Sequence, residues 1–293
     1  MATPGVVRDG LRGIGGRALP GVRRAAPGLA LALLLVPATA AGDGIMLVQA
    51  GAFWMGRDDG SAAEAPLHRV YLRDYWIERH KVTNAEFARF LARHGAVAPG
   101  GERRFEADDA DARIRFVPAA PGAAPSWVPV PGFEDHPAVE VTWFGAGDYC
   151  AARGRRLPTE AEWEKAARGD DRRPYPWGQA APTPALAVLG RPYGATAPGH
   201  ARPAGGSPYG VHDMLGNLRE WTSTALRPYP YRADDGREPF TGAGRVVVRG
   251  ASHDDTPETA HVAARHSYDG RGAAAGHHHV GFRCATSEDL GGR

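Results

Sequence analysis

Apolar and polar residues alternate in two segments near the start of the chain. Residues 45–56 alternate loosely and end at a glycine, and residues 68–77 alternate with a period of two. This period is typical of strands, because successive side chains point to opposite faces of a sheet. Shorter apolar runs predict further strands at residues 139–143, 245–249 and 281–285.

Helical patterns follow two threonines that have the spacing of a capping box. Thr83 is followed three residues later by Glu86, and Thr159 by Glu162, and each pair precedes an apolar stripe. In this arrangement the two side chains bond to each other's backbone amides at the first turn of a helix. Residues 144–153, which precede a glycine, predict a further helix.

Glycine and proline interrupt these patterns throughout the chain. The 293 residues include 39 Gly and 25 Pro, which favours many turns and few long regular elements. Residues 95–132 and 169–209 are predicted to be irregular. The fold class predicted is therefore α+β and loop-rich, with short strands and a few helices.

The charge balance excludes one large class of partner. Lys and Arg together number 35, Asp and Glu 33, and the formal net charge is +2. So small a net charge produces no strong field that would attract nucleic acid or an anionic membrane, so we predict no nucleic-acid partner.

The first 40 residues have the pattern of a signal peptide. Several arginines precede a short apolar stretch, and residues 38–40 (ATA) fit the small-x-small cleavage rule. The Arg23-Arg24 pair is compatible with twin-arginine export, and retention as an uncleaved anchor is the alternative. We predict a periplasmic or secreted protein with one domain at 42–288, a frayed tail at 289–293 and no membrane span after cleavage.

The two cysteines, Cys150 and Cys284, lie far apart in the sequence. In an oxidising compartment such a pair forms a structural disulfide more often than it stays reduced. Two free thiols are the alternative that the residues leave open.

Several motifs occur in the order found in one known family. They include GAFWMG at 51–56, RLPTEAEWE at 156–164, YPWG at 175–178, GNLREW at 216–221 and GFRCA at 281–285. The chain resembles the formylglycine-generating enzyme, or sulfatase-modifying factor, family over about residues 45–286. The resemblance implies a loop-rich fold related to C-type lectin domains, and it implies a disulfide between Cys150 and Cys284.

The resemblance also implies a calcium site in the GNLREW region. The implied ligands are the side chains of Asp213 and Glu220 and the carbonyl groups of Gly216 and Leu218. Hard cations such as Ca²⁺ bind oxygen ligands of this kind. The alternative is that the two carboxylates cap backbone amides or pair with a cation such as Arg219. A second calcium site of the family is predicted to be lost, because residues 182–198 contain neither Asn nor Asp.

The catalytic cysteines of the family are missing. Formylglycine-generating members oxidise a substrate cysteine with two cysteines of their own, and no cysteine occurs here between Ser252 and Arg283. Formylglycine generation is therefore not expected.

Histidine is enriched in that same segment, which holds six of the 12 His. Imidazole binds copper and iron well, so His277, His278 and His279 are a candidate transition-metal site. The alternative is a set of exposed loop histidines. The residues proposed to line a substrate groove are Trp221, Tyr229, His253, Asp255 and Arg265.

Three functions remain open at this stage. The first is an accessory or maturation factor that binds an exported protein or peptide client, such as a copper or nitrite reductase system. The second is a metal-dependent periplasmic oxidase of the siderophore-maturation type. Formylglycine generation on sulfatases is the third, and the missing cysteines disfavour it. The sequence predicts no oligomeric state.

Overall fold

A computed structural model describes residues 44–122 and 124–288 of the chain. The predicted signal peptide and the predicted frayed tail lie outside the described residues. Among the described residues, no helix has both the length and the apolar character needed to cross a membrane.

Short strands and four helices make up the regular structure of the described residues. The strands are β1 (Ile45–Val48), β2 (Gly51–Met55), β3 (His68–Leu72), β4 (Tyr75–Glu78), β5 (Ile114–Val117), β6 (Ser126–Pro129), β7 (Arg219–Ala225), β8 (Arg245–Arg249), β9 (Arg265–Asp269), β10 (Val280–Gly281) and β11 (Ala285–Thr286). The helices are α1 (Asn84–His94), α2 (Trp143–Ala151), α3 (Glu160–Arg168) and α4 (Gly270–Ala273), with a 3₁₀ turn at Pro203–Gly205.

The strands form two larger sheets and two hairpin pairs. One sheet has the order β1-β4-β11, and the other has the order β10-β7-β8-β9. The pair β10–β7 is parallel, whereas the remaining neighbours are antiparallel. The pairs β2–β3 and β5–β6 are separate ribbons. This mixture of short sheets and helices joined by long loops is the α+β, loop-rich fold class that the sequence predicts.

Both predicted capping boxes are present. The Thr83 side chain accepts from the backbone N–H of Glu86, whose carboxylate accepts from the Thr83 N–H, and Thr159 and Glu162 repeat the arrangement at α3. All nine residues of α3 are buried, including Trp163. The RLPTEAEWE motif is therefore a structural element at the centre of the fold.

The two long strands predicted early in the chain are each divided. Residues 45–56 form β1 and β2, and residues 68–77 fall in β3 and β4. Each segment is divided because its two strands belong to different sheets: β1 pairs with β4, and β2 pairs with β3. The Ala50 N–H donates to the Asp74 carboxylate and ties the two crossing points together. Alternation alone could not locate this change of partner.

Three further predictions of secondary structure are wrong. Residues 139–143 contain no strand, since Val141 makes a single bridge to Phe105 and Trp143 already begins α2. The region 95–132 is not wholly irregular, because it contains the β5–β6 hairpin. The strand predicted at 281–285 is split between β10 and β11, which pair with different sheets.

The Cys150–Cys284 disulfide is present and buried. The two Cα atoms are 5.5 Å apart, and the bond joins α2 to the short segment between β10 and β11. The same core contains Phe87, Trp221 and Phe282, all fully buried. The disulfide thus ties the end of the domain to its largest apolar cluster.

Candidate functional site

The loops that follow β8 and precede β10 meet beside the four-stranded sheet. The segment 277–279 is fixed by its backbone, because the His277 carbonyl accepts from the Glu140 N–H at 3.3 Å and the His279 carbonyl accepts from the Arg219 N–H at 3.0 Å. A Cβ on Gly276 would lie 2.6 Å from the Glu140 carbonyl oxygen, so only glycine permits this close approach.

Asp254, His278 and His279 form a cluster of possible metal ligands. One carboxylate oxygen and two imidazole nitrogens lie within 4.8 Å of one another. Nε2 of His278 is 3.5 Å from the Asp254 carboxylate and 3.3 Å from Nδ1 of His279. Ligand nitrogens lie about 2 Å from a first-row metal ion, so neighbouring ligand atoms lie roughly 3.0–3.5 Å apart. The two separations that involve His278 lie at or within this range, so the residues present fit a transition-metal ion.

The electrostatics of the cluster favour the protonation states that bind metals. Burial and the nearby Arg219 guanidinium lower the pKa of His279 to about 4, which leaves its imidazole neutral at pH 7. Although burial alone raises the pKa of Asp254, hydrogen bonding from Ser252 and the charge of His253 hold it below the ordinary value. A neutral imidazole and an ionised carboxylate are the ligand forms.

A tyrosine orients one of the two imidazoles. The Tyr268 hydroxyl and Nε2 of His279 are 2.6 Å apart, which leaves Nδ1 of His279 facing His278. Outer partners of this kind fix the ring of a metal-binding histidine. On the other side, the Tyr193 ring lies 4.1 Å from the His278 ring between centroids. The cluster is thus partly enclosed by two aromatic side chains.

His277 and His253 do not join the cluster. Nε2 of His277 is 2.9 Å from the Gly272 carbonyl, and its ring stacks on Tyr268. His253 is fully buried, with Nδ1 against the Asn217 carbonyl and Nε2 accepting from the Gly194 N–H. Only two of the three histidines predicted as ligands are therefore brought together.

A second group of carboxylates adjoins His278. Asp111 and Glu140 each place a carboxylate oxygen within 4.8 Å of a nitrogen of His278 and of each other. Burial, together with the charges of Asp109, Asp111 and Glu106, raises the pKa of Glu140 to about 8. Glu140 has a φ of 59°, a left-handed conformation that is strained for a residue with a side chain.

The residues predicted to line a groove are largely interior. Trp221 is fully buried and donates from Nε1 to the Val141 carbonyl. Tyr229 and Arg265 are buried too, and both bond the Glu160 carboxylate inside the fold. The groove assignment does not hold for these three, because their side chains are buried in the interior.

Asp255 lies at the edge of the histidine cluster. Its carboxylate is paired with Arg219, whose Nη2 is 2.5 Å away, and accepts from the Ser252 N–H at 2.7 Å. Burial raises the pKa of Asp255, but the hydrogen bond from the Ser252 N–H and the charge of Arg219 together lower it below the ordinary value. Arg219 therefore pairs with Asp255 rather than with the carboxylates of the calcium motif.

The predicted calcium ligands surround a lysine ammonium. Nζ of Lys81 is 3.1 Å from the Glu220 carboxylate and 3.5 Å from the Gly216 carbonyl, and it also donates to the Asp213 carbonyl. The Asp213 side chain instead accepts from Asn217 at 3.1 Å. A Ca²⁺ ion held by these groups would meet the ammonium, so the residues present do not fit calcium.

The Glu220 carboxylate has a second cationic partner. Arg283 donates to it from two nitrogens at 2.7 and 2.9 Å. Burial raises the pKa of Glu220, but the charges of Arg283 and Lys81 outweigh that effect and lower it below the ordinary value. Leu218, the remaining predicted ligand, is buried one residue before β7.

Comparison with known proteins identifies the scaffold. Residues 34–288 match the model of the sulfatase-modifying factor enzyme 1-like domain. The chain belongs to the formylglycine-generating enzyme family. Relatives include the formylglycine-generating enzyme of Mycobacterium tuberculosis, which is 31% identical over 80% of this chain and 95% of its own length.

The chain is also similar to proteins with names other than formylglycine-generating enzyme. The hercynine oxygenase of Mycolicibacterium smegmatis is 37% identical over 63% of this chain, a match that spans 46% of the oxygenase. The structure of PvdO from Pseudomonas aeruginosa shares the fold, with a TM-score of 0.58 and 23% identity over 83% of this chain and 93% of that one.

Both cysteines of this family member are held in the disulfide, so no thiol remains for formylglycine chemistry. The site residues that the sequence did not single out are Asp254, Tyr268, Tyr193 and Glu140. The HDD run at 253–255 was a local signal for Asp254 beside Asp255, whereas the other three come from segments distant in sequence.

Proposed function

We propose that this chain is a metal-dependent oxidoreductase of the formylglycine-generating enzyme family that does not act on sulfatases. The observation that carries the proposal is the Asp254–His278–His279 cluster. Two histidines and one carboxylate with open positions are typical of non-haem iron sites, and imidazole also suits copper. The name of one relative, hercynine oxygenase, gives independent support for oxidative chemistry within the family.

The chain's own residues have separate roles in this proposal. Asp254, His278 and His279 hold the ion, which when bound supplies one-electron chemistry with oxygen. The Tyr268 hydroxyl keeps the His279 ring in its ligating orientation, because the two atoms are 2.6 Å apart. Tyr193, which is 63% exposed, presents an aromatic surface beside His278 where a substrate can lie.

Metal analysis of untagged protein tests the proposal. After anaerobic loading with Fe(II) or Cu(I) and removal of free metal, the wild type is expected to retain about one ion per chain. The Asp254→Ala/His278→Ala/His279→Ala variant should lose it, whereas His277→Ala and the exposed His200→Ala should keep it. For iron, nitric oxide should give the EPR signal of a ferrous nitrosyl complex in the wild type only.

Three outcomes would contradict the proposal. One is a wild type that holds neither iron nor copper, and another is metal that persists in the triple variant. Stoichiometric zinc that excludes both redox metals would retain the site but reject the oxidoreductase function. The accessory role for an exported client, the periplasmic location and the reductase link stay predictions.

A further inference from the structure

We propose that the Lys81 ammonium is the resident cation of the turn at residues 213–220, and that this turn keeps its shape without a calcium ion. The inference is independent of the proposed redox function.

The ammonium is matched by three acceptors. Lys81 has a side chain only 1% exposed, and an ammonium carries three N–H donors and no acceptor. Its acceptors are the carbonyls of Asp213 and Gly216 and the Glu220 carboxylate. Carbonyl and carboxylate oxygens directed at one point also form the ligand set of a hard cation.

The turn contains three residues in the left-handed region of backbone conformation. Asp213, Gly216 and Asn217 all have positive φ, at 54°, 92° and 66°. A Cβ on Gly216 would lie 2.7 Å from the Val188 carbonyl, so the loop packs closely against its neighbour. Within this turn the carbonyls of Asp213 and Gly216 face the Lys81 ammonium, and buried carbonyls of this kind need a hydrogen-bond donor.

The composition of the chain supports a specific role for lysine here. Of the 35 Lys and Arg residues, only Lys81 and Lys165 are lysine. Both are buried, and each directs its ammonium at backbone carbonyls. An ammonium is a compact point charge, whereas the planar guanidinium of arginine fits a carboxylate fork. Glu220 shows both geometries, since Arg283 binds its two carboxylate oxygens and Lys81 contacts one of them.

Thermal unfolding of the full chain tests the proposal with Lys165 as the matched control. Nζ of Lys165 bonds the carbonyls of Gln49 at 2.5 Å and Gly51 at 3.1 Å, and among the described residues it bonds no carboxylate. We expect the wild-type Tm to be the same in EGTA and in excess Ca²⁺. Lys81→Ala should lower the Tm by roughly 10 °C in EGTA, because it leaves a buried carboxylate undercompensated.

Cation rescue separates a charge role from a packing role. Excess Ca²⁺ or ethylammonium should raise the Tm of Lys81→Ala towards that of the wild type and leave Lys165→Ala unchanged. The proposal is overturned if EGTA lowers the wild-type Tm, if Lys81→Ala keeps that Tm, or if neither cation restores the variant. Should the variant fail to fold, the wild-type arm decides, since an unchanged Tm in EGTA supports the proposal and a lowered one rejects it.

Discussion

Glu238 is a partly buried carboxyl group that accepts hydrogen bonds from three hydroxyl groups. Ser223 donates to it at 3.2 Å, Tyr231 at 3.1 Å, and Thr224 donates as well. Burial raises its pKa from 4.5 to about 7, because these hydrogen bonds offset only part of the desolvation. The folded state therefore retains a proton that the unfolded chain releases above its own lower pKa.

The difference in bound protons between the folded and unfolded states determines how stability changes with pH. Between the two pKa values the folded state binds more protons, so the free energy of unfolding falls as pH rises from 4.5 towards 7. Glu238→Gln keeps an acceptor for the hydroxyls but cannot ionise. Between pH 5 and pH 8 the free energy of unfolding of this variant, measured with urea, should rise by about 2 kcal/mol relative to that of the wild type. Parallel pH profiles for the two proteins would contradict the prediction.

Single residues also show how far the site could be predicted. His278 and His279 could be singled out from the sequence because imidazole is a common metal ligand, and their binding of a metal stays a prediction. His277 could not be excluded, since only the fold shows its bond to the Gly272 carbonyl. Likewise, nothing local pairs Lys81 with Glu220, because their approach depends on how the strands and turns pack.

At the scale of elements, the sequence predicts best those features that depend on contacts between residues only a few positions apart. The capping boxes at Thr83 and Thr159 predicted α1 and α3 correctly, because each involves atoms three residues apart. Strand ends were less predictable. The change of sheet between β1 and β2 depends on pairing with β4 and β3, and neither partner is adjacent in the sequence.

The α1 cap permits a direct measurement of such a local signal. Thr83→Ala removes the side chain that accepts from the Glu86 N–H at 3.2 Å. The loss should lower the free energy of unfolding by about 1 kcal/mol. Thr83→Ser keeps the acceptor oxygen, so its free energy of unfolding should stay within a few tenths of a kcal/mol of the wild-type value. If urea unfolding finds the two variants equally destabilised, the cap is not the cause.

Across the whole molecule, a buried ionic network supports the family scaffold. Glu160 on α3 accepts from two nitrogens of Arg265 at 2.8 and 2.9 Å, and Glu164 is paired with Arg168 and Arg249. The RLPTEAEWE motif thus supplies buried structure to the interior of this chain. The histidine cluster lies on loops outside this network, where residues can vary without disturbing the buried ion pairs.

The Cys150–Cys284 disulfide is the covalent counterpart of that network. It links residues separated by 134 positions, and a loop of this length gives a chain-entropy contribution of about 5 kcal/mol. Reducing the disulfide should therefore markedly lower the urea midpoint of the wild type. The Cys150→Ala/Cys284→Ala variant should have a similarly low midpoint, and adding reductant should not change it. Because the bond is buried, reduction should require partial unfolding or denaturant. A wild-type midpoint that full reduction leaves unchanged would show that the ionic and apolar core alone determines the stability.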